Sequence, residues 1–480
     1  MILNAEKLFA KLRKRRTFSH GIHPVAHKEA TAGLAIRRIP FPPRVDLPLS
    51  QHIGAASKPL IKPGQEVVRG EPIAEPGGFL SVPIHSPVTG VVKSVDTLIP
   101  TAAGPKTPAI TIETYGGSTQ EVLYSAQQDI ENLSPKELVE AVQHSGMVGL
   151  GGAAFPSHVK LLPPEGSVIE TVLVNGCECE PYLTCDHRVM LEQTDAMIRG
   201  IEMVVRAVGA KRAIIGVEDN KFDAVKHIET ALAGHPNITV QAVVTKYPQG
   251  AEKLLIDSLL DREVPEGEIP AKIGVAVYNV GTLAQLGSLI PQNRGLIERV
   301  VTVSGPGVKK PGNYMVPIGT PLRFLMEQVG ADIDSSEVIL GGPMMGMSVA
   351  SLDVAITKGV SGVVVMEPQL ESDKLKTVYP CIKCGDCLDA CALHLNPSML
   401  GQLASSREYE AMEEEYHLNS CFECGSCSYV CPSNIPLTQY FRIAKSINRE
   451  RHAAEAAEAA AELESQQTDQ STEKSTSEAA

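Results

Sequence analysis

The sequence predicts a multidomain α/β protein: a β module, a parallel-sheet domain, a small β-grasp-like unit, a helical cysteine-rich domain and a disordered tail. Three observations predict it. With 480 residues, 43% hydrophobic and 21% charged, the chain exceeds one ordinary core yet has the composition of folded protein. Short alternating runs rich in Pro and Gly give way, near residue 133, to strand-length apolar runs alternating with helix-length periodic segments. Eight of the 11 cysteines fall between 381 and 431, in a doubled spacing. A net charge of −13 argues against nucleic-acid binding. No run approaches 18 apolar residues, so no transmembrane helix is expected. Clustered cysteines in an odd total, behind no signal-peptide pattern, point to metal ligation in a reducing compartment and not to a disulfide framework.

Residues 1–30 open with Lys7, Lys11, Arg13, Lys14, Arg15 and Arg16 around Leu3, Leu8, Phe9 and Leu12. That basic amphipathic pattern suits an anionic membrane face or a partner, and it equally suits a frayed end. Residues 31–125 form the β module: KPGQEVVRGEPIAEP and SVPIHSPVTGVVKSV read as tight turns between strands. They resemble the barrel-sandwich domains that carry lipoyl or biotinyl lysines, but the hairpin at 77–85 has no lysine, so a structural role is expected.

Residues 126–296 read as repeated βα units. Ser134 and Glu137 form a capping box, and strands are expected at 168–175, 212–217, 238–245 and 273–279. Helices are expected at 187–208 and 219–233. Such units make a Rossmann-like parallel sheet with ligands at the strand carboxyl ends. Residues 297–368 suggest a β-grasp fold with one helix at 321–329, and 369–450 hold the cysteine motifs. The tail, 451–480, carries −6 from Ala453 onward, and its only large apolar residue is Leu463, so disorder in isolation is expected.

Cys381-x2-Cys384-x2-Cys387-x3-Cys391 is repeated as Cys421-x2-Cys424-x2-Cys427-x3-Cys431-Pro432. In this doubled order three thiolates wrap one 4Fe-4S cluster while the fourth reaches its neighbour. One cluster would take Cys381, Cys384, Cys387 and Cys431; the other would take Cys421, Cys424, Cys427 and Cys391. Two zinc sites are the competing reading. Ala392 stands where a proline follows the other motif.

Two clusters make an electron relay, which needs a donor. Gly149-Leu150-Gly151-Gly152 leads through Phe155-Pro156 into a short helix from Ser157, with Lys160 one turn in. Free N–H groups and an ammonium suit a phosphate. The strand that follows ends in Asn175-Gly176-Cys177-Glu178-Cys179-Glu180, then Cys185-Asp186-His187. Cys177, Cys179 and Cys185, even with His187 as a fourth ligand, fit no metal pattern of known spacing, and the three cysteines are expected as buried thiols beside the ligand. His20, His23 and His27, in a Pro-containing stretch, are expected to be surface or structural.

GLGGAAFPSHVK, NGCECEPYLTCDHR, NVGTL and the doubled cysteine motif together resemble the RnfC family, the peripheral NADH-oxidising member of the Rnf ion-translocating oxidoreductase complex. They are also similar to the NADH-binding flavoprotein subunit of respiratory complex I. The resemblance spans roughly 20–450, including HGIHPVAHK, and identifies the β-grasp segment with the soluble-ligand-binding (SLBB) type. It implies FMN contacts from Gly149, Gly151, Gly152, Lys160, Asn175 and Glu178. Tyr247, Gly250 and Glu252 match a Tyr-x-x-Gly-x-Glu element, and Asn279 and Thr282 match Asn-Val-x-Thr. Phe155 and Glu180 would face the nicotinamide; Leu150 and Cys177 depart from the complex I pattern.

The activity implied is NADH oxidation: hydride to FMN, then single electrons to two 4Fe-4S clusters and out to an iron–sulfur subunit and integral membrane subunits. The implied place is peripheral, on the cytoplasmic face of the bacterial inner membrane. Two alternatives stand beside it: the cobalamin reductase flavoprotein of propanediol-utilisation microcompartments, and an iron–sulfur bridging subunit with no nucleotide chemistry.

Overall fold

The structure, a computed structural model, describes residues 16–102, 104–332, 337–367 and 377–477, with side chains to 459. The basic stretch, except for Arg16, therefore lies outside the described residues. Two compact units divide the chain, Met1–Leu375 and Lys376–Ala480.

In the first unit the β module is two antiparallel sheets. One runs Arg44–Pro48, Lys106–Thr114, Gly90–Pro100, Glu66–Val67; the other Lys58–Pro59, Pro72–Glu75, Ile84–His85. Alternation builds its interior: Val45 and Leu47 are fully buried, as are Ile110 and Ile112 opposite them. Each such side chain contributes roughly 1.5–3 kcal/mol by leaving water.

The parallel sheet has the order Ile238–Val243, Arg212–Glu218, Thr171–Gly176, Val275–Asn279. The first strand in sequence is thus central, and the order reverses between it and Val275–Asn279. A crevice opens at such a reversal, outside the strand carboxyl ends. Asn175 and Asn279 are register partners at this crevice. The capping box at Ser134 and Glu137 forms, starting the helix Pro135–His144. The helix expected over 187–208 is instead two, Cys185–Glu192 and Thr194–Val208, broken at Gln193 (φ −126°). Thr194 bonds back to the Met190 carbonyl at 2.6 Å, the kind of contact that bends a helix. Helices Thr194–Val208 and Val280–Leu289 then meet backbone to backbone. A Cβ on Gly287 would lie 1.8 Å from the Ala196 carbonyl oxygen, and one on Gly200 1.9 Å from that of Leu283. This contact fixes the helix that Asn279 caps.

The β-grasp unit is a six-stranded sheet with the helix Leu322–Val329. Its edge strand is Arg37–Arg38, parallel to Gly312–Pro317, so the unit recruits residues the sequence reading assigned to the β module. Nor are the predicted boundaries near 125 and 296 gaps between cores. One apolar cluster joins Val45, Ile73 and Ile112 to Leu138, Ile201 and Leu283, and on to Val300 and Ile318.

The second unit packs Leu400, Met412, Leu418, Leu437 and Phe441 beneath the cysteine loops. Its last helix runs Leu437–Ser477, as Ala and Glu favour, through a tail whose composition offers almost nothing to bury. Beyond Arg451 its described side chains, residues 452–459, are all exposed. Anchoring stops where Arg451 meets Glu410 and Glu413 and His452 meets Glu413. Truncation after His452 is therefore expected to leave flavin and cluster iron unchanged, with stability altered by no more than about 0.5 kcal/mol. Measured loss of about a quarter of either cofactor on truncation would contradict this.

Candidate functional site

The glycine loop is a tight hairpin closed by Gly149 donating to the Phe155 carbonyl (2.8 Å) and by the Val148–Pro156 bridge. The short helix expected from Ser157 is present as Ser157–Lys160. Thr282 accepts the Leu150 N–H at 2.9 Å, and the Arg299 guanidinium donates to the Leu150 carbonyl at 3.1 Å. A Cβ on Gly151 would sit 2.5 Å from the Asn279 amide nitrogen, so only glycine lets the loop lie on the strand end. Gly152 faces open space. Among the described residues, the N–H groups of Gly151, Gly152 and Ala153 have no hydrogen-bond acceptor. Three free donors on an exposed loop fit an anion.

Lys160 lies beside this loop, its ammonium 3.0 Å from the Val277 carbonyl and 3.2 Å from Glu252. It also sits 5.7 Å from the Tyr278 ring, whose buried hydroxyl has no partner. Asn175 donates to the Gly250 carbonyl at 2.7 Å, and Gly250 donates to the Cys179 sulfur at 3.4 Å. Tyr247 is buried and holds the N-terminal segment through an antiparallel bridge to Ile22. Asn279 caps its helix by accepting from Gly281 and Thr282, and donates to Asp186 at 2.6 Å. Gly149, Gly151, Gly152, Lys160, Asn175, Gly250, Glu252, Asn279 and Thr282 thus gather around one crevice. Phe155, half-buried, closes its hairpin.

Two glutamates are engaged in ways the sequence did not suggest. Glu178 accepts the N–H groups of Asp186 (2.7 Å) and His187 (3.2 Å), satisfying the first turn of the helix Cys185–Glu192. Glu180 reaches the β-grasp unit, accepting the N–H groups of Met344 (3.1 Å) and Met345 (2.8 Å). Burial pushes its carboxyl up to about 7, against the lowering by those two donors. Asp186 is also pushed up, by burial first and then by Glu178. Burial raises the thiols of Cys177, Cys179 and Cys185, so they are inert neutral groups at neutral pH. His20, His23 and His27 are exposed and do not converge.

Sequence reasoning missed Lys28, whose ammonium donates to the carbonyls of Glu178, Glu180 and Leu183. It also missed the buried pair of Lys221 with Glu218 (2.7 Å), which holds the Cys177 carbonyl. No signal marked either lysine: His27 and Glu29 flank Lys28, and Glu218, Asp219 and Asn220 precede Lys221.

In the second unit the two cysteine motifs share two backbone features. Gly385 and Gly425 begin their short helices in the left-handed region (φ 90° and 82°). Lys383 and Glu423 donate their N–H groups to Cys381 and Cys421, each at 3.4 Å. Tyr379 donates to the Ser433 carbonyl at 2.9 Å, and Ser433 to that of Pro380 at 3.0 Å, tying the start of the first motif to the end of the second. Burial raises the Cys387 thiol, and the thiolates of Cys384, Cys431 and Cys381 raise it further. Burial pushes Cys427 up to about 12, with Cys421, Cys424 and Cys391 adding to it. Such thiol sets need a compensating cationic core.

The chain matches the RnfC barrel-sandwich hybrid domain over 16–117, the Nuo51 FMN-binding domain over 142–288, the SLBB domain over 300–348 and a 4Fe-4S dicluster domain over 380–435. It is 39% identical over 444 residues to the RnfC-type component of the proton-translocating ferredoxin:NAD(+) oxidoreductase complex of Clostridium ljungdahlii, covering 92% of this chain and 96% of that one. The chain belongs to the RnfC family of ion-translocating oxidoreductases. The counterpart from the Na(+)-translocating complex of Acetobacterium woodii is 38% identical, over 83% of this chain and 90% of its own. That of the ion-translocating oxidoreductase complex of Rhodobacter capsulatus is 36% identical, over 90% and 83%. As an RnfC-family member, the chain carries an FMN-binding domain and a domain for two 4Fe-4S clusters, with the barrel-sandwich and SLBB domains before and between them. Among its described residues no helix is long and apolar enough to cross a membrane.

Proposed function

We propose that this chain is the peripheral subunit through which a membrane-bound, ion-translocating NADH:ferredoxin oxidoreductase exchanges electrons with NADH. The observation that carries this reading is the crevice at Asn175 and Asn279, faced by an unsatisfied glycine loop, in the same chain as eight paired-motif cysteines. Flavin and clusters, when bound, supply the change from two-electron to one-electron transfer.

The chain's residues bind and orient. Gly151, Gly152 and Lys160 hold the FMN phosphate, while Gly149, Asn175, Glu178, Tyr247, Gly250, Glu252, Asn279 and Thr282 shape the crevice around the rest. Phe155 and Glu180 serve the nicotinamide. An ionised carboxylate has about four acceptor positions, so Glu180 can serve Met344, Met345 and a carboxamide together. Cys381, Cys384, Cys387 and Cys431 hold one cluster; Cys421, Cys424, Cys427 and Cys391 hold the other. The partners are an iron–sulfur subunit and integral membrane subunits, which the chain meets at the cytoplasmic face of the bacterial inner membrane.

Glu180→Gln tests the nicotinamide assignment. It is expected to keep FMN and to raise KM for NADH roughly fivefold, the loss of about 1 kcal/mol of acceptor strength. With its carboxyl at about 7, the native acceptor is ionised above that pH and lost below it. KM for NADH should therefore rise as pH falls through 7 in the native protein and stay flat in the variant. Steady-state NADH:ferricyanide kinetics with flavin analysis reads both. Flavin loss, or an unchanged KM, rejects the role.

A further inference from the structure

Residues 16–28 precede the FMN-binding domain by more than a hundred positions and yet run along its crevice. Ile22 and Tyr247 exchange both backbone hydrogen bonds at 2.9 Å. The Lys246 ammonium donates to the Phe18 carbonyl at 3.0 Å, and Tyr182 donates to that of Ala26 at 2.8 Å. His27 stacks on Tyr182 with ring centroids 4.7 Å apart. At the end of this strap Lys28 donates to the Glu178 carbonyl at 2.8 Å, to that of Glu180 at 2.9 Å, and to that of Leu183.

An ammonium has three protons, and here three backbone oxygens of one loop take them all. Among the described residues no carboxylate hydrogen-bonds to Lys28; its three acceptors are all backbone oxygens. The loop needs such a tie. Glu178 (φ 46°) and Tyr182 (φ 68°) are both left-handed, a conformation that costs non-glycine residues about 1–2 kcal/mol each. The carbonyls of Glu178, Glu180 and Leu183, turned inward together, would repel one another without a cation between them.

We propose that Lys28 is a positioning residue for the nucleotide site. By gathering three carbonyls on one ammonium it sets the course of the loop 178–183. Glu178 then leaves toward the helix Cys185–Glu192 and Glu180 toward Met344 and Met345. This deepens the assignment of that loop and rests on it. The two fail differently: an unchanged KM in Glu180→Gln rejects the nicotinamide role, whereas the clamp is read from the loop's own amides.

The test compares Lys28→Ala with His27→Ala in the flavin- and cluster-loaded protein. Both remove strap contacts, so both should lower the melting temperature. Only Lys28→Ala should speed hydrogen exchange across 178–183 and raise KM for NADH about tenfold or more. Adding n-propylammonium, which refits the vacated space with an ammonium, should restore exchange protection and KM; n-propanol should not. A lower melting temperature with unchanged exchange and KM in Lys28→Ala would make the lysine a stabilising contact only and overturn the proposal. So would a raised KM that propylammonium leaves in place. If Lys28→Ala does not fold, Lys28→Arg keeps the charge but spreads its donors over a plane. It must still quicken exchange in the loop, and unchanged exchange there equally overturns the proposal.

Discussion

Replacing Cys391 by serine is expected to remove the cluster built on Cys421, Cys424 and Cys427 and to leave the cluster of the first motif in place. Sequence order would suggest the opposite, because Cys391 follows Cys381, Cys384 and Cys387. The electrostatic neighbours of Cys391 include Cys424, while Cys431 is among those of Cys387. The backbone ties between Tyr379 and Ser433 hold the two motifs in that crossed relation. Iron should fall from about eight to about four per chain. Electron paramagnetic resonance of the reduced protein should keep the signal that Cys431→Ser removes. If both variants lose the same signal, the crossed ligand sets are wrong.

Lys160→Ala is expected to weaken FMN binding roughly 10- to 150-fold, from the loss of about 1.5–3 kcal/mol in a charge-assisted hydrogen bond. Glu252 shares the ammonium at 3.2 Å, and a bound phosphate dianion would compete for it. Riboflavin supplies the decisive control. It lacks the phosphate, so its affinity should be nearly the same in the variant and the native protein. Equal weakening of both ligands would show that Lys160 supports the pocket wall through Val277 and does not meet phosphate.

Much of this arrangement was legible in the sequence because it is local. The capping box at Ser134, the short helix after Pro156 and all four parallel strands follow from patterns a few residues long. So does the doubled cysteine spacing, whose crossing is a property of the motif itself. What could not be read is long-range. Nothing near Arg37 announces a partner at Tyr314, and nothing near Glu180 announces the amides of Met344 and Met345. Thr194 bending a helix through its own hydroxyl is local, yet the apolar periodicity continues across the bend and hides it. Lys28 sits in a legible stretch but carries no legible task, since three backbone oxygens leave no mark on side-chain identity.

The barrel-sandwich fold is best known as a courier, a small domain on a tether that carries a cofactor between stations. Here the same fold contributes Val45, Ile73 and Ile112 to an apolar interior it shares with Leu138 and Leu283. A courier cannot leave without tearing that interior open. Cargo would also have nowhere to hang, because the tip at 77–85 offers Phe79 and no lysine. The Phe79 carbonyl instead meets His158 at 3.1 Å, on the very turn that ends in Lys160. The module serves as masonry: through this contact it buttresses the short helix Ser157–Lys160.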